Sequence, residues 1–258
     1  VAAPSADSNI DGIRQYIQPV NYTITALGAG YENNLDYAND ASGVDEKITY
    51  LSPIWNGFQL GVSYTPEVGD TNSTPGRTGF NADDTEDDLG EAYEGAVRYE
   101  GNFNKIGFAV GAGYTHVEVE RDASALGTVA VPDPGTGSIG NTDDVEQWNV
   151  GADLDIGAFG IGAIYTETDN VGGIDNADNE TYVLGADYTT GPFQLGASYL
   201  NQDDDANTVE TDRFTGGVVY TAAPGLSFRG SISRVEHDIA GGNDVDATSV
   251  LGGVQMNF

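Results

Sequence analysis

The sequence predicts an all-β fold, an antiparallel barrel that crosses a membrane on its strands. Three observations carry this. Short segments alternate apolar and polar residues from residue 47 onward, the connections between them alternate short and long, and tyrosines recur on the apolar face. Composition agrees with this and narrows the alternatives. Thirty-six Gly and fourteen Tyr accompany one Met, no Cys and a formal charge of −32. Such a charge with few apolar residues is a mark of disorder, but disordered chains are poor in aromatics. No run of eighteen apolar residues exists, so there is no candidate transmembrane helix. The sequence shows no basic–apolar leader, as expected once a signal peptide has been removed, and the lack of Cys suits an exported chain. Nine Lys and Arg against forty-one Asp and Glu exclude nucleic-acid binding by phosphate neutralisation.

Taken in order, the predicted strands are 47–55, 58–66, 92–100, 106–118, 145–156, 158–167, 180–189, 193–201, 211–221, 226–236 and 247–258. Asn56-Gly57 joins the first pair, and Asn-Gly favours a two-residue hairpin because both positions tolerate φ > 0. Gly101 to Lys105, Gly157, Thr190 to Pro192 and Ala222 to Gly225 are the other tight turns. Between them lie 67–91, 119–144, 168–179, 202–210 and 237–246, rich in Asp, Asn, Gly and Thr. A soluble sheet has no reason to place every long loop at one end. An outer-membrane barrel does, with short turns toward the periplasm and long loops outside.

Within strands the faces separate cleanly. Trp148, Val150, Ala152, Leu154 and Ile156 alternate with Gln147, Asn149, Gly151, Asp153 and Asp155. In a closed barrel the first set meets lipid and the second lines water, whereas a half-buried soluble sheet would give the same alternation without the loop asymmetry. FQLGVSY at Phe58–Tyr64 and FQLGASY at Phe193–Tyr199 form a weak repeat, as do FAVGAGY at Phe108–Tyr114 and FGIGAIY at Phe159–Tyr165. Each puts Phe and then Tyr on one face, where amphipathic rings suit the two headgroup boundaries. The spacing is too irregular for a solenoid.

Two stretches resemble a known family. Lys47 to Pro66, KITYLSPIWNGFQLGVSYTP, resembles a strand–turn–strand segment of Gram-negative trimeric porins of the alphaproteobacterial type. Val250 to Phe258, VLGGVQMNF, looks like the terminal assembly signal of such barrels, with Phe last. The resemblance implies a general diffusion porin of sixteen strands, in which a long loop folds inward after the fifth. Counted back from Phe258, the predicted strands are then the sixth to sixteenth, and residues 1–46 match the inward constriction loop. Asn21 to Tyr31, NYTITALGAGY, also alternates, so a complete twelve-stranded barrel is the alternative. The resemblance further implies the outer membrane of a Gram-negative bacterium and a homotrimer contacting lipid and lipopolysaccharide. The substrates it implies are small hydrophilic solutes and ions.

No nucleophile, metal triad or cofactor loop is evident, and no enzyme is expected. His116 and His237 lie apart in the sequence, and His237-Asp238 reads as loop chemistry rather than part of a Ser–His–Asp site. The candidate site is a constriction. On the inward segment Asp7, Asp11, Glu32, Asp36, Asp40, Asp45 and Glu46 stand beside the single base Arg14. By strand parity Lys47, Arg98, Arg213 and Arg229 point into the lumen, with Arg229 about mid-height. Acidic segment opposite basic wall would set a transverse field, and pore radius with wall charge decides what passes. The excess of acid predicts a cation bias. Asp83, Asp84, Glu86, Asp87 and Asp88 in one external loop, with Asp143-Asp144 and Asp203-Asp204-Asp205 in others, offer hard oxygen ligands for Ca²⁺ or a solvated charge run. A secreted calcium-dependent β adhesin or surface-layer protein and a substrate-specific porin are the rival functions.

Overall fold

Alternating strands separated by tight turns build a single antiparallel sheet. The computed structural model describes residues 41–42, 47–68, 89–119, 143–206, 208–242 and 244–257. Eleven strands pair each with the next in chain order, β1 through β11. They are β1 (Ile48–Leu51), β2 (Phe58–Thr65), β3 (Leu89–Phe103), β4 (Ile106–Val119), β5 (Val145–Ile156) and β6 (Phe159–Asp169). The rest are β7 (Asn179–Thr190), β8 (Phe193–Asp204), β9 (Val209–Ala223), β10 (Leu226–Ile239) and β11 (Val245–Met256). The single helical turn among the described residues is a 3-10 turn at Val171–Gly173. The twelfth-strand candidate Asn21–Tyr31 and most of the inward segment lie outside the described residues.

The short turns form as the residues dictate. Asn56 and Gly57 have φ of 48° and 89°, the left-handed pair that a two-residue hairpin demands. A Cβ on Gly57 would lie 2.2 Å from the Glu100 carbonyl oxygen, so only glycine fits. Asn104-Lys105, Gly157-Ala158, Gly191-Pro192 and Pro224-Gly225 close the other four hairpins at this end.

Two boundaries differ from the sequence reading. The first strand stops at Leu51 instead of Trp55. Pro53 brings no N–H to a ladder, and the Ser52 hydroxyl accepts the Leu60 N–H at 2.8 Å in place of regular pairing. At the opposite end several strands run further than expected, to Asp204 in β8 and Ile239 in β10, with β9 starting at Val209. The connections predicted as 202–210 and 237–246 shrink to 205–208 and 240–244. The extension is mostly polar, with only Val209 and Ile239 apolar, so its ladder bonds form without a regular apolar face to announce them.

Register fixes the faces. Phe58 pairs with Tyr99 and Tyr99 with Val110, while on the far side Phe193 pairs with Tyr220 and Tyr220 with Phe228. All ten strand tyrosines (Tyr50, Tyr64, Tyr93, Tyr99, Tyr114, Tyr165, Tyr182, Tyr188, Tyr199 and Tyr220) share this outer face. Their rings form two belts. Phe58–Tyr99–Phe108, Phe159–Tyr188 and Phe193–Tyr220–Phe228 lie near the short turns. Tyr64–Tyr93, Trp148–Tyr165 and Tyr182–Tyr199–Phe214 lie near the other end. Six residues separate the belts on β2, β3, β4, β6, β7, β8 and β9, about 20 Å along the chain at 3.3 Å per residue. Between them Leu154, Ile161, Leu184, Leu195 and Ile232 are exposed, as an apolar band meeting lipid requires.

Candidate pore wall

The opposite, inner face carries the polar residues of every strand. Gly61, Ala96, Gly113, Asn149, Thr166, Thr181, Gln202, Thr211 and His237 form one cross-strand row. Hydroxyls and amides on this face bond one another across strands. Thr215 and Ser233 are 2.8 Å apart, Gln147 Nε2 donates to Thr168 Oγ1 at 2.9 Å, and Thr211 Oγ1 lies 2.7 Å from His237 Nδ1. His237 is fully buried in that pair and is a structural residue of the wall.

Lys47, Arg98, Arg213 and Arg229 all lie on this inner side. Lys47 Nζ donates to Ser42 Oγ at 2.5 Å and reaches Glu94 at 3.4 Å. Arg98 is paired with Glu100, two residues along the same face. Arg213 stands in register between Leu200 and Val235 and is buried. Arg229 is the fourth residue of β10, in register with Val219 and Gly253. It therefore sits closer to the short-turn end than the mid-height expected from sequence.

A carboxylate group lies on the same face, toward the short turns. Asp153 and Asp155 on β5 and Asp187 on β7 surround Gly160 of β6, which pairs with Asp155 on one side and Asp187 on the other. A Cβ on Gly160 would lie 2.2 Å from Asp187 Oδ1 and 3.5 Å from Asp155 Oδ1. The missing side chain lets carboxylates from two strands lean over the third. The result is a patch of negative charge on the inner wall near the short turns.

A two-faced antiparallel sheet with paired aromatic belts narrows the possibilities to strand-built membrane proteins, and a family model for the Gram-negative porin matches residues 5–240. The chain belongs to the Gram-negative porin family. Its fold is similar to the anion-selective porin from Comamonas acidovorans, with TM-score 0.51 and 18% identity over 82% of this chain and 57% of that one. Pseudomonas putida OprB gives TM-score 0.58 at 10% identity, covering 82% and 58%. The outer membrane channel DcaP of Acinetobacter baumannii gives 0.51 at 13%, covering 81% and 60%. An uncharacterized protein of Rickettsia conorii is 27% identical over 161 residues, 52% of this chain and 36% of that protein. The porin chain thus spans less than two thirds of each of these relatives, and at these identities the structural likeness concerns the fold. Family and fold place it in the outer membrane and point to a channel rather than an enzyme.

Other candidate positions of the porin fall differently. Asp7, Asp11, Arg14, Glu32, Asp36, Asp40, Asp45 and Glu46 lie outside the described residues, as do Asp83, Asp84, Glu86, Asp87 and Asp88. Asp144 Oδ1 accepts the Val119 N–H at 3.0 Å, a loop-closing role. Asp203 and Asp205 line a cavity of about 140 Å³ with Glu167, Asp169, Asp178 and Glu180. Among the described residues no group of three His, Cys, Asp or Glu has the geometry to hold a metal ion. The sequence reading put Asp153 and Asp155 on the water-lining face but named only bases as wall site residues, leaving out Asp187 and Glu94 as well. The same parity rule that turned Arg98 inward turns these inward too.

Proposed function

We propose that the protein is a passive outer-membrane channel for small hydrophilic solutes and ions, biased toward cations. One observation supports it above the rest: a single sheet whose outer face carries two aromatic belts around an apolar band, and whose inner face carries hydroxyls, amides, glycines and charges beside a few buried aliphatic residues. Lipid takes the first face and water the second. Passage through such a wall needs no bond-making group, only radius and field.

The cation bias rests on charge placement. Two of the four inner bases, Lys47 and Arg98, already have carboxylate partners beside them, while Asp153, Asp155 and Asp187 gather on one patch. In this reading residues 1–46 fold inward and present Asp36, Asp40, Asp45 and Glu46 opposite the basic positions. The working unit is a homotrimer, with lipid and lipopolysaccharide against its outer face. The test is a planar-bilayer recording of the full-length protein under a KCl gradient. A reversal potential on the K⁺ side at low salt is the expected result. Anion preference would reject the bias and hand selectivity to Lys47, Arg98, Arg213 and Arg229.

A further inference from the structure

Small residues interrupt the polar wall at one place. On the inner face Gly61, Ala96 and Gly113 stand side by side on β2, β3 and β4, with Asn149 next on β5. Two residues further from the short turns, the same strands carry Ser63, Glu94, Thr115 and Gln147. A row without side chains beside a row of large ones leaves a niche. A cavity of about 190 Å³ lies there, lined by the side chains of Lys47, Thr49, Ser63 and Glu94 over a floor of Gly61 and Ala96. Ala41 and Ser42 border it on the side away from the short turns. The Ala41 N–H donates to Gln147 Oε1 at 3.0 Å, and Ser42 Oγ accepts from Lys47 Nζ.

The β5 side of this niche carries hydrogen-bonding atoms that the wall does not use. Asn149 is 1% exposed, and neither its Oδ1 nor its Nδ2 has a partner among the described residues. Thr115 is 0% exposed, and its Oγ1 is likewise without one. Elsewhere on this face such groups bond their neighbours, as Thr215 does Ser233 and Gln147 does Thr168. A buried donor or acceptor left unmade is costly, so these atoms point to a ligand of matching chemistry. By register Thr115 adjoins Glu94, and Asn149 adjoins the floor residue Gly113.

Charge narrows the class of ligand. Lys47 and Glu94 stand 3.4 Å apart and offset one another, so their pair favours neither cation nor anion. A neutral solute with several hydroxyls suits the niche better, since each hydroxyl both donates and accepts. It would meet a donor in Lys47, an acceptor in Glu94, and the hydroxyls of Thr49 and Ser63, which are 2.9 Å apart. Asn149 offers both a donor and an acceptor. The floor of Gly61, Ala96 and Gly113 lets the C–H face of a sugar ring lie flat against the wall. The volume falls below the range of about 300–1,000 Å³ that takes drug-sized molecules, which suits a single ring.

We propose that this niche is a binding subsite for a neutral polyhydroxy solute, one sugar ring in size. The inference rests on the proposed reading of the inner face as the wetted one, and names a solute class that this wall would hold in transit.

The probe is methyl α-D-glucoside, titrated against the folded full-length protein in detergent and read by saturation-transfer NMR. Binding with a Kd of about 1–30 mM is expected of so small a solute. Ala96→Leu fills the floor and should weaken binding at least ~tenfold by steric exclusion, while Val97→Leu on the lipid face leaves it unchanged. Asn149→Ala should weaken it about threefold to tenfold, the worth of a hydrogen bond. Because Asn149 has no partner in the wall, this second variant keeps its fold and reports even where the leucine variant misfolds. Undetectable glucoside binding, or an affinity unchanged in either folded variant, overturns the proposal. So does tighter binding of alanine, a zwitterion, because the Lys47–Glu94 pair would then be opening to take fixed charges. Neither readout uses conductance, so a channel that fails to conduct would count against the proposed function alone.

Discussion

Removing the three inner-wall carboxylates near the short turns, as Asp153→Asn, Asp155→Asn and Asp187→Asn together, should strip much of the cation preference at low salt. For an ion passing about 7 Å from each carboxylate, Coulomb's law in water gives ~0.6 kcal/mol apiece, or ~1.8 kcal/mol for three. At 0.1 M salt a screening length of about 10 Å leaves roughly half, ~0.9 kcal/mol. That concentrates cations about fivefold and depletes anions equally, for a cation-to-anion ratio near twentyfold. At 1 M the screening length of about 3 Å leaves ~0.2 kcal/mol and a ratio under about twofold. The assay is the reversal potential of single channels under a tenfold KCl gradient, at low and at high absolute salt. The triple variant should lose most of its selectivity at low salt and change little at high salt. Asn is close to Asp in volume, so pore radius is held. A loss of selectivity as large at 1 M as at 0.1 M would refute the reasoning, because screening would then not govern it. So would a low-salt shift under about twofold.

Three more expectations follow from faces and turns. Ile232→Arg places a charge in the apolar band between the belts and should cost about 2–4 kcal/mol in urea unfolding from lipid vesicles, against little for Ser231→Arg on the inner face. Equal costs would mean the faces are reversed. Gly57→Val forces a branched side chain into a left-handed turn and against the Glu100 carbonyl, and should destabilise by about 1–3 kcal/mol in the same assay. If the inward segment narrows the pore, neutralising Asp36, Asp40 and Asp45 to Asn should shift the reversal potential more than neutralising Asp203, Asp204 and Asp205. The opposite order would place the narrowest point elsewhere.

Much of the fold was legible because membrane barrels write their two faces in period two. Trp148 to Ile156 showed which way β5 faces, and the Phe–Tyr spacing of six showed the belts. Strand ends were harder to see. Above the upper belt, Asn201 and Asp203 continue β8 on a face that is polar on both sides, so the alternation disappears while the ladder continues. Pro53 worked in the other direction, ending a strand that hydrophobicity alone would have carried to Trp55. Inner-face charge was readable by parity, and Asp153 and Asp155 were already on the polar side. What parity could not show was Gly160, whose empty Cβ position brings Asp155 and Asp187 together from strands two apart. The buried inner-face stripe Ile164, Val183, Leu200 and Val235 was also hidden. A single aliphatic residue among polar ones looks like noise in one strand and becomes a surface only when four strands are in register.

The extension of β8, β9 and β10 past the upper belt bears on how the proposed channel would meet its solutes. Tyr199 Oη donates to Asp212 and Tyr165 Oη to Glu167 at 2.8 Å, so the last rings hand over directly to carboxylates. Beyond Arg234, β10 continues through Val235 to Ile239, roughly 17 Å of paired strand at 3.3 Å per residue. On this flank the paired strands run past the upper aromatic belt, with β8 ending at Asp204, β9 starting at Val209, β10 ending at Ile239 and β11 starting at Val245. In the proposed channel, a solute approaching from that side would meet the carboxylates of Asp203, Asp204, Glu210 and Asp212 first. Its capture there would weaken as ionic strength rises.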